Sequence, residues 1–175
     1  MAGHNKWAQI KRQKGANDAA RGALFGKLAR RITVEAKKAG GDLNSASLRA
    51  AIEKAKAANM PKENIERAVS KATAGGADME SVIYEAYGPG GAAVIIEALT
   101  DNKNRTLQDL KAIFAKHNIN LAAPGSALWA FTKTEQGYQP NATVPLSEED
   151  DAALMKIMEL IDALDDVEEV YTNAQ

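Results

Sequence analysis

The chain contains no cysteine and only two histidines, His4 and His117. The absence of thiols excludes a disulfide framework, a thiolate metal site and a cysteine nucleophile, and two histidines are too few for a histidine-rich metal centre. The longest apolar runs, such as residues 92–96, are far shorter than the ~20 residues that span a bilayer. We therefore expect a cytoplasmic protein that is not an enzyme and has no cofactor, no membrane partner and no small-molecule substrate.

Charge is distributed unevenly along the 175 residues, although the formal net charge is only -1. Residues 1–40 carry ten basic and two acidic side chains, residues 41–140 are balanced, and residues 141–175 carry ten acids and a single lysine. Such asymmetry predicts a polyanionic partner for the basic end. The alternative is that the two ends attract each other or form solvated faces.

The basic end supplies the candidate nucleic-acid interface, because clustered Lys and Arg attract phosphate backbones without reading sequence. Trp7 beside Lys6 is suited to stack on an unpaired base, which would favour RNA or single strands. The alternative is that Trp7 packs against the helical domain as a hydrophobic staple. The candidate residues are Lys6, Trp7, Lys11, Arg12, Lys14, Arg21, Lys27, Arg30, Arg31, Lys37 and Lys38.

The pattern of apolar residues predicts two domains and an α+β fold. In residues 1–76, a basic arm precedes three helices with apolar positions at helical spacing, bounded by glycine pairs and by Pro61. The helices are predicted at 18–39, 47–58 and 61–72, and they would form a three-helix bundle.

Residues 77–175 change character and predict a small α/β sandwich, a four-stranded sheet with two helices of ferredoxin-like type. Thr106 and Asp109 have the spacing of a capping box at the start of the first helix, and Ser147 is placed to cap the second. The strands are predicted at 81–87, 92–100, 126–131 and 167–171, and the helices at 106–117 and from Ser147 to 164.

Two loops offer further candidate sites. The glycine turn at 88–91 could hold a phosphate on its amides, but a tight turn is the commoner use, and the absence of the P-loop lysine and hydroxyl excludes nucleotide hydrolysis. Lys103, Asn104 and Arg105 form a possible second contact for RNA or a protein partner. The alternative is that this loop caps the following helix.

Five stretches together resemble the YebC/PmpR family of transcriptional regulators and translation factors. The resemblance implies a regulator that binds promoter DNA, or ribosomal RNA with the ribosome as partner. The chain shows no evident helix-turn-helix pair, which disfavours promoter binding. The stretches are Ala2-Gly3-His4-Asn5-Lys6-Trp7, Asn59-Met60-Pro61, Tyr84-Glu85-Ala86-Tyr87-Gly88-Pro89-Gly90-Gly91, Leu99-Thr100-Asp101-Asn102-Lys103-Asn104-Arg105-Thr106 and Val167-Glu168-Glu169-Val170-Tyr171-Thr172-Asn173.

Members of that family usually carry a further α+β domain between the strand ending near Phe131 and the segment beginning near Tyr138. Residues 132–137 bridge this position with a short linker, so we expect the helical and sheet domains without the inserted one. The alternative function, from a different class, is a protein-interaction adaptor that binds a basic partner through the acidic C-terminal helix.

Overall fold

The computed structural model describes residues 6–14, 18–75 and 78–175, with the backbone alone at residues 12–14 and 18. Its contacts divide the chain into two compact units. One, the helical unit, is Ala16–Glu80; the other, the sheet unit, combines Met1–Gly15 with Ser81–Gln175. No helix in the described ranges has the length and apolar character needed to cross a membrane.

The helical unit consists of α2 (Asp18–Lys38), α3 (Ala46–Ala57) and α4 (Lys62–Thr73), following α1 (Lys6–Lys14) along the chain. These three helices confirm the predicted elements to within about a residue at each end. After α3, Asn59 adopts a left-handed φ of 61°, and the Met60 N–H donates to the Ala55 carbonyl at 3.0 Å, which closes the helix. The core of the unit is built on fully buried residues such as Ile32, Leu48 and Ala55.

The sheet unit contains a four-stranded sheet in the order β3-β1-β2-β6. Without the small hairpin described below, the elements of this unit follow the order β-β-α-β-α-β along the chain. A ferredoxin-like unit has the order β-α-β-β-α-β instead. The α+β class and the sheet with two helices are confirmed. The elements are β1 (Glu80–Tyr87), β2 (Ala93–Thr100), α5 (Lys103–Ala115), β3 (Leu121–Ala122), β4 (Phe131–Thr134), β5 (Gly137–Pro140), α6 (Glu148–Asp162) and β6 (Val167–Thr172).

The predicted strand at 126–131 is wrong in its bounds. A turn of 3-10 helix occupies Leu128–Ala130, and the strand β4 begins only at Phe131. β4 pairs with β5 in a separate two-stranded hairpin, with Thr134 opposite Gly137. Gly137 has a φ of +103°, and a Cβ there would collide with the Tyr171 ring. The short linker is therefore the tip of a tight hairpin packed on the main sheet.

The described part of the basic arm, Lys6–Lys14, forms the helix α1, and its contacts group it with the sheet unit. This differs from the predicted grouping of residues 1–76, which joined the arm to the three-helix bundle. The physical reason is the apolar face of α1: Trp7 and Ile10 lie three residues apart and pack into the core between the sheet and its helices. Sequence periodicity over nine residues does not say which core such a face will join.

Candidate nucleic-acid interface

The two described lysine side chains of α1 are paired with acids near the C-terminus. Lys6 Nζ lies 2.5 Å from Asp151 Oδ1 and also donates to the Gln175 carbonyl at 3.0 Å, and Lys11 Nζ lies 3.0 Å from Asp162 Oδ1. The alternative that the two ends of the chain attract each other thus holds for these lysines. A phosphate would have to displace a carboxylate to bind either of them.

Trp7 is a core residue, which corrects its assignment as a base-stacking side chain. Only 3% of its surface is exposed, and it packs among residues such as Val94 and Leu154. Its indole Nε1 is buried and has no hydrogen-bond partner in the ranges that the structure describes. Trp7 is therefore a packing residue, as the alternative predicted, but it packs in the core of the sheet unit and not against the helical domain. The side chains of Arg12 and Lys14 lie outside the described residues.

Several cations on α2 are engaged by acids of the helical unit. Arg31 Nη1 lies 3.1 Å from Glu35 Oε1, and Lys38 Nζ lies 3.6 Å from the same oxygen. Burial raises the pKa of Glu35, but hydrogen bonds from Ser47 and Arg31 and the charge of Lys38 together bring it below its usual value. Arg21 is exposed and Lys27 is half-buried.

Lys37 pairs with Asp78, the two charges being 2.7 Å apart. The hydrogen bond from Lys37 lowers the pKa of the Asp78 carboxyl. Both side chains are accessible, Asp78 almost fully so, and such pairs contribute little to stability. An incoming anion could therefore replace Asp78 beside Lys37 at small cost.

A groove of about 610 Å³ between α2 and α4 brings four cations together. Arg30 and Lys37 from α2 and Arg67 and Lys71 from α4 line it. No acidic residue is among its lining residues within the described ranges. Neither Arg67 nor Lys71 forms an ion pair with any residue that the structure describes. The groove is therefore a cationic surface of defined geometry in the helical unit.

Helix periodicity explains why these cations face each other. Residues 30, 33, 34 and 37 repeat at three- and four-residue spacing on α2, and residues 64, 67, 68 and 71 repeat it on α4. Thr33 Oγ1 lies 2.9 Å from the Ala68 carbonyl, which joins the two helices at the middle of the groove. The charge distribution does not single out Arg67 and Lys71, because they belong to the charge-balanced middle of the chain. The signal that the sequence offers for them is the three- and four-residue spacing that α4 shares with α2.

In the loop before α5, the structure supports the capping alternative. Asn102 Oδ1 accepts the Arg105 N–H at 3.1 Å, so Asn102 is the cap and the predicted Thr106–Asp109 capping box is wrong. The reason is that Thr106 Oγ1 is used elsewhere, donating at 2.8 Å to the buried Asp166.

The Arg105 guanidinium is held by acids within the sheet unit. Its Nη2 lies 3.0 Å from Asp166 and 2.7 Å from Asp101, and these hydrogen bonds raise the pKa of Arg105. Lys103 and Asn104 have exposed side chains, and their contact with RNA or a protein partner stays a prediction.

The glycine turn has the geometry of a tight turn packed on α6. Gly90 and Gly91 have φ values of 69° and 80°. A Cβ at Gly90 would lie 3.2 Å from a carboxylate oxygen of Asp150, and a neighbouring carboxylate disfavours a phosphate. Ser147 caps α6 as predicted, since its Oγ accepts the Asp150 N–H at 3.1 Å.

Glu85 is a buried carboxylate whose role the sequence did not reveal. It is 5% exposed and accepts three backbone N–H groups, from Gly125 at 2.6 Å and from Ala127 and Leu128 at 2.8 Å. The Tyr84–Gly91 motif therefore carries an acid that fixes the loop before β4. In the described ranges, no three His, Cys, Asp or Glu side chains are grouped to hold a metal ion.

Family comparisons cover nearly the whole chain. The TACO1/YebC N-terminal domain matches residues 5–75, and the TACO1/YebC second and third domain matches residues 79–136 and 131–174. The chain belongs to the TACO1/YebC family. The two segments of the second match overlap at the β4–β5 hairpin, where sequence analysis placed the shortened linker.

Curated members of the family are similar over most of this chain but are longer. A probable transcriptional regulatory protein of Desulforapulum autotrophicum is 47% identical over 90% of this chain and 63% of its own length. One of Geotalea uraniireducens is 54% identical over 76% of this chain and 55% of its own length. The chain thus spans about 55–63% of these two relatives.

A solved structure supports the same fold. The crystal structure of a conserved hypothetical protein from Aquifex aeolicus matches with a TM-score of 0.83 and 33% sequence identity. The match covers 97% of this chain and 96% of that one. Both the helices and the sheet unit of the TACO1/YebC chain therefore have a close structural counterpart.

Proposed function

We propose that this chain is a non-enzymatic regulator of gene expression that binds nucleic acid through the groove of the helical unit. The observation that carries the proposal is the lining of that groove by four cations and, among the described residues, no acid. The names of the curated relatives, probable transcriptional regulatory proteins, support the regulatory role. The protein would act in the cytoplasm, with RNA or DNA as partner and without a cofactor.

Phosphate binding is the chemistry that fits this surface. Each Lys or Arg that neutralises a phosphate releases condensed counterions, so affinity falls steeply with salt. Arg30, Arg67 and Lys71 are carried by packed helices, which fixes their spacing before the ligand arrives. Lys6 and Lys11 already neutralise carboxylates, so they are expected to contribute less.

Within this function we favour RNA over promoter DNA. Sequence-specific regulators of the helix-turn-helix type place one helix in the major groove, with side chains at its N-terminal end reaching base edges. Here the cations line a groove between two packed helices, an arrangement that suits contact with the phosphate backbone. RNA is therefore the preferred partner, ribosomal RNA being the kind that the family resemblance implies, and promoter DNA is the competing outcome of the test.

The test compares two double variants that lose the same charge from the same unit. Arg67→Ala with Lys71→Ala removes two groove cations, and Arg49→Ala with Lys62→Ala removes two exposed cations that do not line the groove. Fluorescence anisotropy would give the affinity for a labelled RNA and for DNA of the same sequence over a range of salt concentrations.

We expect the groove variant to weaken binding and to reduce the salt slope by about 1.4, from ~0.7 for each lost contact to a single strand. The control variant should keep nearly the parent slope. Equal losses in both variants would mean that net charge, not the groove, determines binding. An unchanged groove variant would refute the proposal.

The adaptor alternative is less favoured because α6 uses its acids internally. Asp151 and Asp162 bind Lys6 and Lys11 of α1. Glu148, Glu149 and Asp150 lie in the first helical turn, where negative charge stabilises the helix dipole. A protein partner that is retained on the chain after nuclease treatment would favour the adaptor function instead.

A further inference from the structure

Beneath its cationic rim, the groove of the helical unit has an apolar floor. Val34, Met60 and Ala68 are buried there, and the half-buried side chains of Phe25 and Met79 extend the apolar surface. Arg30 reaches over this floor, with its Nη2 3.8 Å from the Met79 sulfur. A surface that bound only a phosphate backbone would need the rim but not the floor.

We infer that the groove receives an unpaired nucleotide of a single-stranded nucleic acid, with the base on the apolar floor and the flanking phosphates on the rim. This inference rests on the proposed function and specifies its ligand. Arg30, Arg67 and Lys71 would bind the phosphates, and Phe25 and Met79 would contact the base. A volume of about 610 Å³ is within the range of small-ligand sites, whereas a duplex keeps its bases stacked and inaccessible to such a groove.

Asn64 adds a group that can recognise the edge of a base. Its half-buried side chain lines the groove, and its amide has no hydrogen-bond partner among the described residues. An amide offers both a donor and an acceptor, which suits the mixed donor and acceptor edges of bases. Phosphate oxygens would use only its donor.

Gly26 keeps one side of the groove open. It lies within α2, where glycine weakens a helix relative to alanine, and a Cβ at this position would meet nothing within 4 Å. Packing therefore does not require a glycine at this position. Because Gly26 lines the groove, a larger side chain would occupy the space assigned to the base.

Gly22 provides a matched control for this position. It lies one turn earlier on the same helix, a Cβ there also meets nothing within 4 Å, and it does not line the groove. Gly26→Leu and Gly22→Leu should both strengthen the helix, so neither is expected to unfold the protein. They differ in that position 26 lines the groove and position 22 does not.

The experiment measures anisotropy with three labelled probes: a uridine decamer, a decamer of the same backbone with abasic sites throughout, and a duplex. The parent and the Gly22→Leu variant should bind the uridine decamer about ten-fold more tightly than the abasic one, the effect of stacking roughly one base. Gly26→Leu should lose that preference. A deoxyuridine decamer tests whether the ribose 2′-hydroxyl contributes, which distinguishes RNA from single-stranded DNA as the source of the nucleotide.

The outcomes separate this inference from the proposed function. Equal affinity for the uridine and abasic decamers, with binding still weakened by Arg67→Ala and Lys71→Ala, would overturn the nucleotide site and leave phosphate binding in place. A retained base preference in Gly26→Leu would likewise overturn the assignment of the base to this groove. Parent-like binding by the Arg67 and Lys71 double variant would instead refute the proposed function.

Discussion

Replacing Trp7 by alanine tests whether α1 is a structural part of the sheet unit. The indole is 3% exposed within the core, so its removal leaves a large cavity and detaches the apolar face of α1. Truncation of a buried aromatic of this size costs about 3–5 kcal/mol. The ion pairs of Lys6 and Lys11 are partly exposed and should contribute only about 0.2–1 kcal/mol each.

Urea unfolding converts these energies into a measurable shift. With a slope of about 2 kcal/mol per molar urea, a loss of 3–5 kcal/mol lowers the midpoint by roughly 1.5–2.5 M. Trp129 reports on the sheet unit, since it is 67% exposed and its Nε1 donates to the Tyr87 hydroxyl at 3.1 Å. Its fluorescence can be followed in the Trp7→Ala variant because the chain has no third tryptophan.

Lys11→Ala is the control, because it removes a contact of α1 with α6 but leaves the indole in place. Its midpoint should shift by less than about 0.5 M, following the same arithmetic. Trp7→Phe is the milder companion in case the alanine variant does not fold. A Trp7→Ala midpoint within the range of the Lys11→Ala control would refute the docking of α1 through its tryptophan.

Two further predictions concern the acids Glu85 and Glu97 of the sheet unit. Glu85→Gln should lower the free energy of unfolding of the sheet unit by about 1–3 kcal/mol, because the amide nitrogen would face a backbone N–H and leave that donor unsatisfied. Urea titration measures this loss, and an unchanged midpoint would contradict the prediction. Burial raises the pKa of Glu97, so ionisation destabilises the folded state at neutral pH. The Glu97→Gln variant can still accept a hydrogen bond from the Tyr171 hydroxyl, and it should be more stable than the parent at pH 7. The difference in stability should shrink as the pH falls through the folded pKa towards about 4. A gain in stability that is independent of pH would contradict the reasoning.

The helices of the helical unit could be predicted from the sequence because their signals are local. Apolar spacing, the glycine pair after α2 and the Asn59-Met60-Pro61 break lie within a few residues of the ends they determine. The docking of α1 could not be predicted in this way. Lys6 and Asp151 are 145 residues apart, and only the folded sheet unit brings them together.

Two of the four cations that line the groove could be predicted from the sequence. Arg30 and Lys37 belong to a basic segment that stands out in the charge distribution. Arg67 and Lys71 become part of the same surface only because α4 packs along α2, a tertiary contact that sequence composition does not encode. The ion pairs of Lys6 and Lys11 could not be predicted for the same reason, since the acids that neutralise them are distant in sequence.

The sequence motifs that resemble the YebC/PmpR family identified the family correctly. The best-defined contacts of these motifs stabilise the fold. In the motif that starts at Tyr84, Glu85 fixes a loop through three backbone amides. In the motif that starts at Leu99, Thr106 and Arg105 bind the buried Asp166. Conspicuous motifs of this kind identify a fold more directly than they identify a binding surface.

The most direct measurement is photo-crosslinking of nucleic acid to the full chain in cells, followed by mass spectrometry of the crosslinked peptides. A nucleotide in the groove predicts crosslinks in peptides covering residues 24–37 and 60–79. Sequencing the attached nucleic acid would identify it as ribosomal RNA or DNA. Crosslinks restricted to residues 6–14 or 103–105, with none in the helical unit, would contradict the assignment of binding to the groove.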